Sequence, residues 1–150
     1  MLKLYTPNGL AAEVPETKAE DNTPRFNGNN DMENAIKYYN ENGYVIFSGF
    51  VSKENCDQLK NLWNKSIKPH KGTIYRQTTA KAEKNIFNDN GWIMNPILNL
   101  QSLNPYLFAD LRNAVEKDVF SNLSICKALK GILGEKPKIV QSMYFEGNSA

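Results

Sequence analysis

Asn42-Gly43-Tyr44-Val45-Ile46-Phe47-Ser48-Gly49-Phe50-Val51-Ser52 is the stretch around which the rest of the chain organises. Tyr44 to Phe47 is apolar and β-prone, glycines bound it on both sides, and its length suits a strand, so a short buried strand is expected. Upstream, Met32, Ala35, Ile36 and Tyr39 recur at helical spacing behind Asp31, a good N-cap, with Glu33 in the first turn where the helix dipole favours it. Gly43 supplies the stop. Downstream, Ser52 is an N-cap followed by Glu54, and Cys56, Leu59, Leu62 or Trp63, and Ile67 form an apolar stripe that Pro69 ends. Helix, strand, helix is therefore the first organised unit.

Ahead of it, residues 2 to 5 suit a short strand, and Pro7 to Asn30 is polar, aperiodic and rich in Asn, Glu, Pro and Gly. Residues 1–30 read as an N-terminal arm. Beyond the unit, Gly72 to Thr79 is β-branched enough for a strand, and Trp92 to Leu98 suits another strand or a buried loop. Asn104-Pro105 opens a third helix with Leu107, Phe108, Leu111, Ala114 and Val115 facing inward. A fourth runs from about Ser121 to Leu133 and closes at Gly134. Lys138 to Phe145 then reads as a strand, with Ile139, Gln141, Met143 and Phe145 on one face and Val140, Ser142 and Tyr144 on the other.

A chain of 150 residues, 41% hydrophobic and 11% aromatic, can bury one ordinary core. Eighteen basic and 16 acidic residues leave a net charge of +2, which gives no overall field for nucleic acid or an anionic membrane. No window approaches the run of about 20 apolar residues that a spanning helix needs, and no secretory leader opens the chain. Cys56 and Cys126 lie far apart among apolar neighbours and read as buried free thiols, so a cytoplasmic setting is expected.

Chemistry-bearing motifs are sparse. There is no Gly-x-Ser-x-Gly elbow, no phosphate-binding loop and no dinucleotide fingerprint. The one histidine, His70, stands between Pro69 and Lys71, where a solvated loop is expected. Lys65, Lys68, Lys71, Arg76, Lys81 and Lys84 cluster with only Glu83 opposing them, as a solvated face or as an attractor for an anion. Arg76 is the best single candidate, since a β-prone segment can hold its guanidinium for a bidentate carboxylate contact. Trp63, Trp92, Phe108 and Phe120 read as core.

The quoted stretch, lying between two helices, resembles the opening signature of the phytanoyl-CoA dioxygenase family, a Gly-Tyr-Val strand and Gly-Phe turn before a long helix. Leu133-Gly134-Glu135 followed by Ile139 to Phe145 is similar to that family's turn and the strand before its metal motif. The likeness spans roughly residues 31–150, and it implies the N-terminal part of a single dioxygenase-like domain. The fold implied is α+β: the N-terminal helices and first strands of a double-stranded β-helix, or jelly-roll, cupin-like fold, truncated. In that family a His-x-Asp and a later histidine bind Fe(II), and 2-oxoglutarate and O2 serve to hydroxylate a small organic substrate. By the same likeness Gln141 and Met143 fall where side chains enter the cosubstrate pocket, and Asn95 at a pocket position on an earlier strand; Arg76 joins them as a cofactor-binding candidate.

No His-x-Asp occurs among the 150 residues, and a facial triad takes two imidazoles and a carboxylate. The expectation is an N-terminal fragment with no catalytic or metal-binding residue of its own, inactive alone, whose reading frame continues past Ala150 into the motif. Self-association through an uncovered strand is expected too, with no nucleic acid or membrane as partner. The alternative is a non-catalytic α+β module that binds a protein or a small ligand.

Overall fold

The structure, a computed structural model, describes residues 2–5, 11–14, 22–28 and 30–146. In chain order the elements are β1 (Leu2–Tyr5), β2 (Ala11–Val14), β3 (Arg25–Asn27), α1 (Met32–Asn42), β4 (Ile46–Ser48), α2 (Lys53–Leu62), β5 (Ile74–Tyr75), β6 (Ala82–Glu83), α3 (Ala109–Val115) and α4 (Leu123–Leu133). Five-residue π-helical turns prolong α2 through Trp63–Ile67 and α3 through Glu116–Phe120. The class is α+β, as expected. Among the described residues the strands pair in three two-stranded sheets, β1-β2, β3-β4 and β5-β6, with no jelly roll displayed.

The helix-strand-helix unit folds with its punctuation as read. Gly43 takes a left-handed φ of 77° and returns its N–H to the Tyr39 carbonyl at 2.8 Å, which ends α1. Ser52 caps α2 by accepting the Asn55 N–H at 3.1 Å. Asp31 stands at the α1 N-cap but makes no cap bond there. Its carboxylate instead accepts the Asn34 side-chain amide at 2.6 Å.

The central strand differs from expectation. It begins at Ile46, Tyr44 is 50% exposed, and Ile46 and Phe47 are half-buried rather than buried. Its partner explains why. β3 pairs with β4 in parallel, Phe26 opposite Phe47, with α1 as the crossover. The polar arm thus supplies a strand, invisible beforehand because three residues carry no period, and β2, paired antiparallel to β1, is a second. Behind the pair, α1 meets α4 through small residues: Ala35 and Ala128 are fully or almost fully buried, and a Cβ on Gly131 would stand 2.6 Å from Ile36 Cδ1.

The main core lies on the other side, between the α2–α3 helix pair and the chain from residue 74 to 103. Trp63, Ile67, Phe108 and Leu111 pack there against Ile74, Ile93, Ile97 and Leu103. Asn104 opens a turn by accepting the N–H groups of Tyr106 and Leu107, but α3 itself starts only at Ala109, so Leu107 is 64% exposed and not inward as expected. Trp92 is likewise exposed at the surface, while Phe120 is half-buried.

The strand expected over residues 138–145 does not form a ladder. One antiparallel bridge, Ile97 with Tyr144, joins it to the rest, and the face turned inward is that of Ser142 and Tyr144. Ile139, Met143 and Phe145, expected to share a pocket-lining face, are about half exposed or more. The indole of Trp63 decides the choice, since it offers a flat apolar partner to an aromatic ring at position 144. Four extended pieces consequently lie side by side and antiparallel: β6, β5 with Arg76, Ile97, and Tyr144.

Candidate functional site

Two places among the described residues bear on the candidate site, a buried polar network and an apolar cavity, and Ile97 adjoins both. The first is built around Arg76, completely buried at the end of β5. Nη1 donates to the Asn95 carbonyl at 2.9 Å, Nη2 to Asn85 Oδ1 at 2.6 Å, and Nε and Nη2 both reach the Glu83 carbonyl, at 3.3 and 3.2 Å. Asn85 passes the network on by donating to the Ile67 carbonyl at 2.7 Å. Asn95, itself buried, accepts the Ile86 N–H and donates to the Lys84 carbonyl, so both ends of its amide are engaged. Burial lowers the Arg76 pKa, and the nearby Glu83 charge raises it in part. A guanidinium still stays protonated at neutral pH. The acceptors are carbonyl and amide oxygens of the chain itself, so Arg76 ties β5, β6 and the 85–95 loop together.

The second place is an apolar cavity of about 220 Å³ between the helices and the terminal segment. Leu59 of α2, Leu111 and Val115 of α3, and Val119 and Phe120 of the second π turn form its helical side. Trp63 of the first π turn continues the α2 side, and Met143 and Tyr144 of the terminal segment also line it. Its polar neighbours, Asn99 and Ser142, are engaged with each other's segment: Asn99 Oδ1 accepts the Ser142 N–H at 3.0 Å, and Ser142 Oγ accepts the Leu100 N–H at 2.9 Å.

Ser142, Met143 and Tyr144 form one wall of this cavity, and the segment runs on to Glu146 as a strap. Tyr144 stacks on Trp63, ring centroids 3.9 Å apart and planes 17° from parallel. Beyond it the Glu146 carboxylate receives Lys68 Nζ at 2.5 Å, the Ile93 N–H at 3.0 Å and the Trp63 indole N–H at 3.4 Å. Burial pushes the Glu146 carboxyl upward. The bonds from Lys68, Ile93 and Trp63, with the Lys68 charge, outweigh that and hold it below its ordinary value. Tyr144 moves the opposite way, raised by burial and then by the Glu146 charge.

The four residues singled out from sequence separate accordingly. Arg76 and Asn95 share the buried network, Met143 lies at the cavity with its side chain half exposed, and Gln141 is exposed and belongs to neither. Sequence reasoning missed Asn85, Asn99, Ser142 and Glu146. Only Glu146 carried any signal, as the one acid near the end of an apolar run. His70 lies half-buried with its ring edge-on to Phe108, centroids 5.1 Å apart, rather than in a solvated loop. Cys56 and Cys126 are free thiols, half-buried rather than buried.

Fe(II) of the facial-triad kind does not fit these residues. The chain has a single imidazole, turned to a phenyl ring, and among the described residues no three His, Cys, Asp or Glu side chains gather as ligands. Among the described residues, too, no helix is long and apolar enough to cross a membrane. In comparisons with known proteins no family model, no curated protein and no solved structure matches the chain significantly.

Proposed function

We propose that this chain is the N-terminal buttress of an Fe(II)/2-oxoglutarate oxygenase of the phytanoyl-CoA dioxygenase type, which hydroxylates a small organic substrate with metal ligands supplied from outside these 150 residues. The observation that carries the reading is the antiparallel array β6, β5 with Arg76, Ile97 and Tyr144, backed by the α2–α3 pair. Such an array has the form of the opening of an antiparallel sheet, the building block of jelly rolls. The Gly43 to Ser52 signature stands at the head of the helix that supports it. In this reading the Arg76 network fixes the relative position of the sheet pieces, and Met143 lines the apolar cavity beside them. No step of the reaction is assigned to the residues present.

The test compares the 150-residue chain with the product of the uninterrupted source reading frame, each given Fe(II), 2-oxoglutarate and O2. Succinate release by the longer product alone, with a His-x-Asp encoded within about ten codons of Ala150, is the expected result. Turnover by the 150 residues, or a frame lacking the motif, overturns it.

A second reading has its own support. The apolar cavity beneath the strap favours a non-catalytic module that holds a small ligand. It differs in needing neither metal nor oxoglutarate.

A further inference from the structure

The pocket beside the strap is partly open to solvent and measures about 220 Å³, with a lining that is almost wholly apolar. An enclosed apolar void of about 150 Å³ in another protein takes up benzene, so the space here is large enough for a group of that size. No charged side chain lines it, and the two polar neighbours are held in each other's backbone bonds.

Its frame is unusual as well. Both π turns among the described residues border it, Trp63 on one and Val119 and Phe120 on the other. Such turns are rare and concentrate at functional sites. Each is supported by a polar side chain four residues on from a carbonyl of the turn region: Ser66 Oγ donates to the Leu62 carbonyl at 2.6 Å, and Asn122 Nδ2 to the Asp118 carbonyl at 3.1 Å. The interrupted helices are thus specified locally, and they hold the two helical walls in place without the cavity being filled.

The remaining wall is attached in a different way. Residues 142–146 share one backbone bridge with Ile97, and otherwise they are held by side chains: Ser142 at Asn99 and Leu100, Tyr144 on Trp63, Glu146 at Lys68 and Ile93. A segment fastened so can lift as a unit without breaking a sheet.

We propose that the cavity is a binding site for an uncharged hydrocarbon group, a single aromatic ring or a branched aliphatic chain of similar size, and that Ser142–Glu146 is its movable wall. The inference rests on cavity, lining and strap, and it stands whether or not the oxygenase reading holds. A carboxylate or phosphate on the ligand has no partner inside, so any such group stays outside the cavity mouth.

The probe is toluene, with benzoate as the charged counterpart. Titration of the full 150-residue chain is followed by Trp63 emission in a Trp92→Phe background and by methyl NMR of the unsubstituted protein. Toluene is expected to saturate at one site per chain, with at least tenfold preference over benzoate, and to shift methyls of Leu59, Leu111, Val115 and Met143. Val115→Phe, which fills the space, should abolish the response. Glu146→Gln, which loosens the strap, should make Trp63 several-fold more open to acrylamide quenching. Because Val115→Phe can fail to fold, the methyl map decides by itself: shifts confined to those residues support the site, and scattered or absent shifts overturn it. Equal affinity for benzoate, or protection of the same methyls by dimerisation in sedimentation rather than by toluene, overturns it as well.

Discussion

Arg76 shows how far a single side chain can be read. Its guanidinium is buried without a carboxylate in bonding distance among the described residues, and it is held by the Asn95 and Glu83 carbonyls and by Asn85. Removing it leaves those buried acceptors unmatched, and bonds to charged groups contribute about 1.5–3 kcal/mol apiece. Arg76→Met is therefore expected to lower unfolding free energy by roughly 3–5 kcal/mol in denaturant titration, given that such bonds are not additive. A loss below about 1 kcal/mol would mean that the network is replaced by water. Gly28 makes a steric counterpart. A Cβ there would fall 1.6 Å from Phe50 Cε1, on a ring that also stacks against Phe47 at 4.8 Å and has little room to give. Gly28→Ala should cost about 1–3 kcal/mol, as overpacked sites do. Ser52→Ala should cost about 1 kcal/mol through the lost cap, with helix α2 unchanged in the crystal or by NMR.

At the scale of elements, what the sequence disclosed depended on local physics. Gly43, Ser52 and Gly134 act within their own turns, so those helix ends were legible. The β3–β4 pairing joins residues on either side of α1, and no pattern of three residues announces it. The strap was half legible. Its extended character followed from alternation, but its facing did not, because Trp63, 81 positions before Tyr144, selects which side turns inward. Arg76 and Asn95 were found as candidates, but their part in one network depends on carbonyl positions that carry no residue signature. The strap's fastening predicts a pH dependence. The Glu146 carboxyl has its folded pKa below the ordinary 4.5, so the stabilisation is fully present above that value and is lost as pH falls through the folded pKa. Acid should loosen the strap before the rest of the protein unfolds, seen as a change in Trp63 emission as pH falls below the ordinary carboxylate range, which the Glu146→Gln variant lacks. At neutral pH that variant should be less stable by about 1–2 kcal/mol.

The whole molecule leaves much apolar surface open along its terminal segment. Val140 is 91% exposed, Phe145 61% and Ile139 51%, all within six residues of one another and next to a strap with a single backbone bridge. Isolated exposed apolar residues are ordinary, but a contiguous group beside unpaired backbone is an edge that recruits another chain. On the far side of the strap the α1–α4 pair is closed by Ala35 and Ala128, and Leu123 and Leu133 of α4 point outward at 85% and 60% exposure. Two surfaces of different chemistry are therefore available, and they predict different assemblies. Association through the strap edge is the one we expect, since it satisfies backbone groups as well as covering side chains. Replacing Val140 and Phe145 together with Lys and Glu should then return a concentration-dependent assembly to monomer in sedimentation, while Leu123→Lys with Leu133→Glu should leave it unchanged. If the second pair dissolves the assembly and the first does not, the α4 face is the interface, and the strap is held by its own side-chain contacts without help from a neighbouring copy. A monomer at every concentration for the unsubstituted chain would show that neither surface is sticky enough to associate.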